Sequence, residues 1–198
     1  MISSFGDNMV NINAMKKKSI GVIKTILHKL DILHLQKYYF KCAMIFFNVM
    51  LRGSILYASE AYYNLTETEL RNIERIEEGF LKKIMKTKKS CPIVQLYLET
   101  GQWPARFEIK KYILMFLKSI LDEDRNSRIF KFVKLQLEKP TKGDWVSQCN
   151  KDLIELNIRE NFEEITNMQK VTFLNIIEEK LKENALRYLN KKKGSKGN

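Results

Sequence analysis

The chain has 198 residues and a formal net charge of +12, with 35 basic and 23 acidic residues. Its 44% apolar content excludes a wholly disordered protein, and its 8 Gly and 3 Pro are few, as in helical proteins. Three isolated cysteines and two histidines give no zinc-finger spacing and fit reduced intracellular thiols better than a disulfide framework, while the basic excess favours polyanionic partners.

Two apolar segments at the start of the chain predict helices. Residues 8 to about 33 have apolar positions at imperfect helical spacing, with an exposed lysine run at 16–18. Residues 35–61 are apolar on most sides, which is typical of a helix in the centre of a bundle. Within that helix, Gly53 follows Arg52 and is predicted to be a bend or a close-packing position.

The next helix has a marked start and a basic end. Thr66 and Glu69 form a Thr-x-x-Glu capping box, in which each side chain can bond to the backbone N–H of the other residue. Apolar residues then recur at steps of three and four as far as Ile84, so they share one helical face. The opposite face is charged, and the cluster from Lys82 to Lys89 concentrates positive charge at one tip, which suits the helix dipole.

The second half of the chain predicts further helices. Periodicity and the positions of Pro and Gly place them at residues 92–100, 105–121, 129–137, 145–156 and 173–189. Gly101, an acidic turn at 122–126 and Pro140 end or separate the first three of these. The polar segment 161–168 is predicted to be a connection before the last helix.

Together these segments predict an all-α fold, an irregular bundle of about six to eight helices without significant sheet. We expect an unstructured start at 1–7, a helical bundle at 8–121, a helical connection packed on it or extending from it at 122–190, and a disordered basic tail at 191–198. No secretory signal is visible, and the most lipid-like run, 42–51, has about half the roughly 20 residues of a spanning helix. We therefore expect an intracellular protein, in the nucleus or cytoplasm, without a membrane partner.

No catalytic constellation is visible in the sequence. Polymerase-type phosphoryl transfer needs carboxylates that converge on metal ions, but the doublets at 77–78, 163–164 and 178–179 are predicted to be solvated helix surface. The acidic turn at 122–124 is predicted to be an ordinary helix connection. Neither histidine has a nucleophile in a recognised pattern, and no Gly-rich loop offers a phosphate cradle. We expect no enzyme activity, no metal site and no cofactor.

Basic residues are the remaining candidates for a function. They could neutralise nucleic-acid phosphates without choosing a sequence, whereas the alternative for any one cluster is a solvated, solubilising face. Trp103 and Trp145 could stack on bases, but packing at helix entrances is favoured. The candidate nucleic-acid-binding residues are Lys16, Lys17, Lys18, Lys82, Lys83, Lys86, Lys88, Lys89, Arg106, Lys110 and Lys111.

Three segments resemble a known family: SILYASEAYYNLTETELRNIERIEEGFLKKIM, LYLETGQWPARFEIKKYILMFLKSILDED and EKPTKGDWVSQCNKDLIELNI. They resemble the region after the polymerase palm in non-LTR retrotransposon reverse transcriptases, in the lineage with a C-terminal zinc knuckle and a restriction-like endonuclease. The likeness runs from about Ser3 to Leu189, and NINAMKKKSIG resembles the segment between palm and thumb. It implies that residues 1–7 are a palm remnant and that the helices correspond to the thumb and helical connection, which grip the template–primer duplex.

The family's aromatic-x-Asp-Asp motif, its Cys/His knuckle and its endonuclease carboxylates do not occur in this sequence. The resemblance therefore implies a non-catalytic fragment of an RNA-directed DNA polymerase from a transposable element, which binds the backbone of a template–primer duplex or of RNA. One alternative is a helical protein–protein interaction module derived from such an element, with an exposed former interdomain face around residues 1–34. The other alternative is a remnant of such an element that has no function.

Overall fold

In a computed structural model of the chain, the regular structure of the described residues is entirely helical, which confirms the all-α prediction. The described residues are 8–32, 38–57, 59, 65–88, 90–139, 141, 143–158 and 162–194. No strand occurs within these ranges. The predictions for residues 1–7, for Lys89 and for residues 195–198 lie outside them.

The helices follow one another with short connections. They are α1 (Asn8–Ile32), α2 (Tyr39–Phe46), a π-helical segment (Phe47–Arg52), α3 (Gly53–Leu56), α4 (Glu67–Ile84), α5 (Ile93–Thr100), α6 (Ala105–Leu121), α7 (Arg128–Glu138), α8 (Trp145–Glu155), α9 (Phe162–Asn167) and α10 (Lys170–Gly194). Since α2, the π-helical segment and α3 are continuous, the described residues form nine helical stretches.

The chain divides into two compact units. Unit 1 contains the described residues within Met1–Ala58 and Leu65–Arg106, and unit 2 contains those within Ser59–Asn64 and Phe107–Asn198. The division therefore falls near the start of α6, whereas the sequence suggested a boundary at the end of that helix. From Phe107 onward one face of α6 is buried, and the Phe107 and Tyr188 rings lie edge to face within unit 2 with centroids 5.7 Å apart.

In unit 1, α1 packs against α2, the π-helical segment, α3 and α4, and α4 packs against α5. The rings of Phe47 and Phe80 stack with centroids 5.4 Å apart, and both side chains are fully buried. The predicted capping box is confirmed: the Glu69 N–H donates to the Thr66 hydroxyl over 3.3 Å, and the Thr66 N–H donates to the Glu69 carboxylate over 2.7 Å. Local chemistry therefore sets the start of α4.

In unit 2, buried side chains of α6 and α10 contribute to the core, and α7 packs against α8. The Trp145 ring lies edge to face on Phe116, with centroids 5.7 Å apart, which confirms packing at a helix entrance. Lys118 is fully buried, and its Nζ donates to the Asp122 carboxylate and, over 3.4 Å, to the Thr166 carbonyl. This lysine ties the end of α6 to α9.

The helical stretch from α2 to α3 differs from its prediction. It is not buried on most sides, because Ile45 is 53% and Val49 is 69% exposed. Gly53 is neither a bend nor a close contact: it lies exposed at the start of α3, and a Cβ there would meet nothing within 4 Å. The irregularity precedes it, in the π-helical segment. By length and composition, Tyr39–Leu56 could cross a membrane, and 39% of that window is buried inside the protein.

Two further predictions are corrected near the end of the chain. The segment predicted to be a polar connection contains α9, because Ile165 is fully buried and supplies the packing that a short helix needs. The last helix continues through Lys191, Lys192 and Lys193, where a disordered tail was expected. Cations in the last turn of a helix are favoured by the helix dipole.

Candidate nucleic-acid interface

The first basic cluster lies on the outer face of α1. Ile12, Met15 and Ile23 are buried on the opposite face, so the intervening Lys16, Lys17 and Lys18 are exposed. Among the described residues, none of these three lysines forms an ion pair. Their charges are therefore available to an external anion.

The second cluster, here called the α4 basic end, consists of Lys82, Lys83, Lys86 and Lys88. The Lys86 N–H donates to the Lys83 carbonyl over 3.2 Å, and the Thr87 N–H donates to the Lys82 carbonyl over 3.1 Å. Together with the φ of +49° at Lys86, these two bonds form a Schellman turn. The turn satisfies carbonyls at the end of α4 and sets the direction of the lysines that follow.

One lysine of the α4 basic end also contacts an aromatic ring. The Nζ of Lys86 lies 5.5 Å from the centroid of Tyr39, at the start of α2. Lys83 and Lys88 are exposed and form no ion pair with described residues, while Lys82 is half-buried. Lys89 lies outside the described residues. The basic end is thus oriented by backbone bonds and one cation–π contact, and Lys83, Lys86 and Lys88 form no ion pair with described residues.

Arg106 is placed differently from its prediction. Its side chain is 11% exposed, and its guanidinium donates to both carboxylate oxygens of Glu67 over 2.9 Å. It also pairs with Glu74, whose side chain is 1% exposed. Because two carboxylates of unit 1 already neutralise this cation, we leave Arg106 out of the interface.

Lys110 and Lys111 are also compensated inside their unit. The Nζ of Lys110 lies 3.0 Å from the Asp152 carboxylate and also pairs with Glu155. Burial lowers the pKa of Lys110, but these two carboxylates outweigh it and leave the pKa above its usual 10.5. Lys111 donates to Glu178 over 2.8 Å. We leave both lysines out of the interface.

The sequence prediction depended on clusters of basic residues, so it missed lysines that are exposed singly. Lys24 and Lys29 are exposed on α1, and Lys41 is exposed on α2. None of the three forms an ion pair with described residues. The helical spacing of the apolar residues in α1 could have predicted that Lys24 and Lys29 are exposed, had it been followed beyond the run at 16–18.

The structure corrects the prediction that the Glu77-Glu78 doublet is solvated. Glu77 is fully buried, and its carboxylate accepts from Arg52 Nε over 3.0 Å, from the Ala105 N–H over 2.9 Å and from the Tyr97 hydroxyl over 3.4 Å. Burial raises the pKa of Glu77 to about 7, although Arg52 opposes the shift. Arg52 also donates to the Trp103 carbonyl.

A buried acid with a raised pKa can mark a catalytic site, but here both carboxylate oxygens accept from protein donors. The Glu77 carboxylate therefore has a structural role: it links α4 to the π-helical segment, to α5 and to the start of α6. The sequence signal was Arg52 itself, because an arginine within an apolar helix needs an anionic partner.

The other acidic predictions are confirmed as surface. Glu163, Glu164, Glu178 and Glu179 are all exposed. In the turn after α6, Asp122 pairs with Lys118, and the Asp124 carboxylate accepts from the Asn126 N–H over 3.0 Å. In the part of the chain that the structure describes, no three His, Cys, Asp or Glu side chains are grouped to hold a metal ion.

Comparisons of the chain with protein-family models, curated protein sequences and solved structures give no match. The placement of the individual cations therefore carries the functional argument. Of the predicted basic residues, Arg106, Lys110 and Lys111 are neutralised by carboxylates. The lysines at 16–18 and the α4 basic end remain as candidates for the interface, and both belong to unit 1.

Proposed function

We propose that the chain is a non-catalytic, thumb-like part of a non-LTR retrotransposon reverse transcriptase and that unit 1 binds the backbone of nucleic acid. The observation that carries the proposal is the α4 basic end, in which a Schellman turn orients exposed lysines around the tip of one helix. Lysines bind phosphates as point charges, so affinity should not depend on base sequence. The partner is a template–primer duplex or RNA, and the protein acts in the nucleus or cytoplasm.

The salt dependence of binding tests this proposal. If about five lysines each meet one phosphate, affinity for an RNA–DNA hybrid should fall roughly 500-fold between about 50 and 200 mM salt. Fluorescence anisotropy with labelled hybrids of two unrelated sequences measures it, and both sequences should bind equally. Unchanged affinity between the two salt concentrations, or a strong preference for one sequence, would contradict the proposal.

A protein-binding function is the second candidate, and the exposed apolar side chains favour it. Ile45 and Val49, four positions apart in the stretch from α2 to α3, are 53% and 69% exposed. On α7, Ile129, Phe132 and Leu135 are exposed at steps of three. The sequence suggested such a face around residues 1–34, but among the described side chains of α1 the exposed large apolar residue is Ile20. Apolar faces of this kind mark interaction sites.

For this second candidate, we expect the purified chain to self-associate or to bind a hydrophobic dye. Replacing Ile45 and Val49 with serine should lower dye fluorescence and self-association without lowering thermal stability, because both side chains lie mostly in solvent. Light scattering and dye titration measure the two effects. A monodisperse wild-type monomer that binds no dye would exclude this function.

A further inference from the structure

Unit 2 contains a cleft of about 620 Å³ between the end of α6, α7 and α9. Small-molecule sites have volumes of about 300–1,000 Å³, so the cleft is large enough for one nucleotide. Among the described residues, its lining includes three cations, two phenyl rings and one carboxylate. These are Arg125, Lys131, Lys134, Phe130, Phe162 and Glu163.

Contacts within unit 2 hold the walls of the cleft. On α7, the Ser127 hydroxyl accepts from the Phe130 N–H over 3.1 Å and caps the helix just before the ring. On the other side, the buried Lys118 binds Asp122 at the end of α6 and the Thr166 carbonyl of α9. The cap places Phe130, and Lys118 holds α9, which carries Phe162, beside the end of α6.

The cations of the cleft exceed its carboxylates. Arg125 and Lys131 are exposed and form no ion pair with described residues. Lys134 approaches Glu138 only to 3.9 Å, and its side chain is 64% exposed, so that pair is weak. Among the described residues, Glu163 is the single carboxylate in the lining. The cleft therefore attracts an anion.

The apolar part of the lining narrows the chemistry of that anion. Phe130 and Phe162 are half-buried and come from two different helices, so two aromatic rings line the cleft beside the cations. Aromatic side chains stack on nucleobases with little base preference, and Arg and Lys bind the adjoining phosphate. A simple inorganic anion would use the cations but not the rings.

We propose that this cleft binds one unpaired nucleotide, with its base against Phe130 and Phe162 and its phosphate held by Arg125, Lys131 and Lys134. The inference rests on the proposed function for its class of ligand, but the cleft lies wholly within unit 2 and uses none of the lysines of unit 1. The sequence did not reveal it because residues 125–134 and 162–163 are brought together only by packing.

The double substitution Arg125→Gln and Lys131→Gln in the full chain tests the phosphate contacts. We expect its affinity for a fluorescent single-stranded oligouridine to fall at least tenfold, because two charge-assisted contacts are lost. The matched control, Lys151→Gln with Lys182→Gln, removes two exposed lysines of unit 2 outside the cleft and should change affinity less than about twofold. Equal losses in both variants would overturn the proposal.

The substitution Glu163→Gln tests the site in the opposite direction, and a folding defect cannot mimic its result. Removal of this carboxylate from the lining should strengthen oligouridine binding several-fold. Glu179→Gln, an exposed acid on α10, is the control and should leave the affinity unchanged. Unchanged or weaker binding by Glu163→Gln would overturn the proposal.

Titration with AMP, followed by NMR, distinguishes a free nucleotide from a nucleotide within a strand. If AMP binds and competes with oligouridine, a free nucleotide is sufficient for binding. If only oligouridine binds, and its affinity changes in the cleft variants, the nucleotide must be part of a strand. Both results support the site, whereas failure of both probes to bind would overturn it. A failure of the proposed duplex-binding function appears separately, as weak, salt-independent binding of the hybrid.

Discussion

Replacing Arg52 with methionine is expected to lower the free energy of unfolding of unit 1 by about 3–5 kcal/mol near pH 8, because it leaves Glu77 buried without its counter-charge. The Tyr97 hydroxyl and the Ala105 N–H remain as donors, but neither carries a charge. The loss should be smaller near pH 5, where Glu77 is protonated, since burial raises its pKa to about 7.

Urea unfolding followed by tryptophan fluorescence measures this loss. In a Trp145→Phe background, the remaining Trp103 reports on unit 1. The control is Arg75→Met, because Arg75 lies on the exposed side of the same α4, and it should change the free energy by no more than about 0.5 kcal/mol. Losses of similar size in the two variants would contradict a buried charge pair at Arg52.

The raised pKa also gives the sign of the pH dependence. Folded Glu77, with a pKa of about 7, holds its proton more firmly than the unfolded chain does, with its value of 4.5. Its contribution is therefore fully present below about pH 4.5 and is lost as the pH rises through 7, by an amount on the order of 3 kcal/mol. The Glu77→Gln variant has no carboxyl group to titrate at this position. The free energy of unfolding of its unit 1 should therefore vary less between pH 5 and pH 8. The same pH slope in both proteins would show that Glu77 does not titrate as described.

Charge reversal at Lys82, Lys83 and Lys86 is expected to weaken hybrid binding roughly a hundredfold at low salt, because three phosphate contacts are replaced by repulsion. A plot of the logarithm of the binding constant against the logarithm of the salt concentration has a negative slope, and the magnitude of that slope should decrease by about 3, one for each lysine. Anisotropy titrations at several salt concentrations measure both quantities. Circular dichroism should show retained helix, since these side chains lie at the end of α4.

The matched control reverses Lys151, Lys182 and Lys191, three exposed lysines of unit 2 outside the cleft. It changes the net charge by the same amount but removes no proposed contact. Long-range repulsion should then lower affinity only a few-fold, and less at higher salt. If both triple variants lost affinity equally, binding would follow overall charge, and the α4 basic end would not be the interface.

The sequence by itself determined the features that depend on neighbouring residues. The start of α4 follows from Thr66 and Glu69, three positions apart, whose bonds form within one helical turn. The end of α5 follows from Gly101, whose φ of +63° favours a residue without a side chain. Apolar spacing was sufficient for the all-α class and for the positions of the long helices. It also placed Lys16, Lys17 and Lys18 correctly on an exposed face.

Only the tertiary structure decided which charges are neutralised and which apolar faces remain in solvent. Arg52 and Glu77 are 25 positions apart, and Arg106 and Glu67 are 39 apart, so periodicity could not show that they meet. A helical wheel separates charged from apolar faces, but it does not say which of them meets another helix. For that reason Glu77 was predicted to be exposed and is buried, whereas the helix over residues 35–61 was predicted to lie in the centre of a bundle and leaves Val49 exposed.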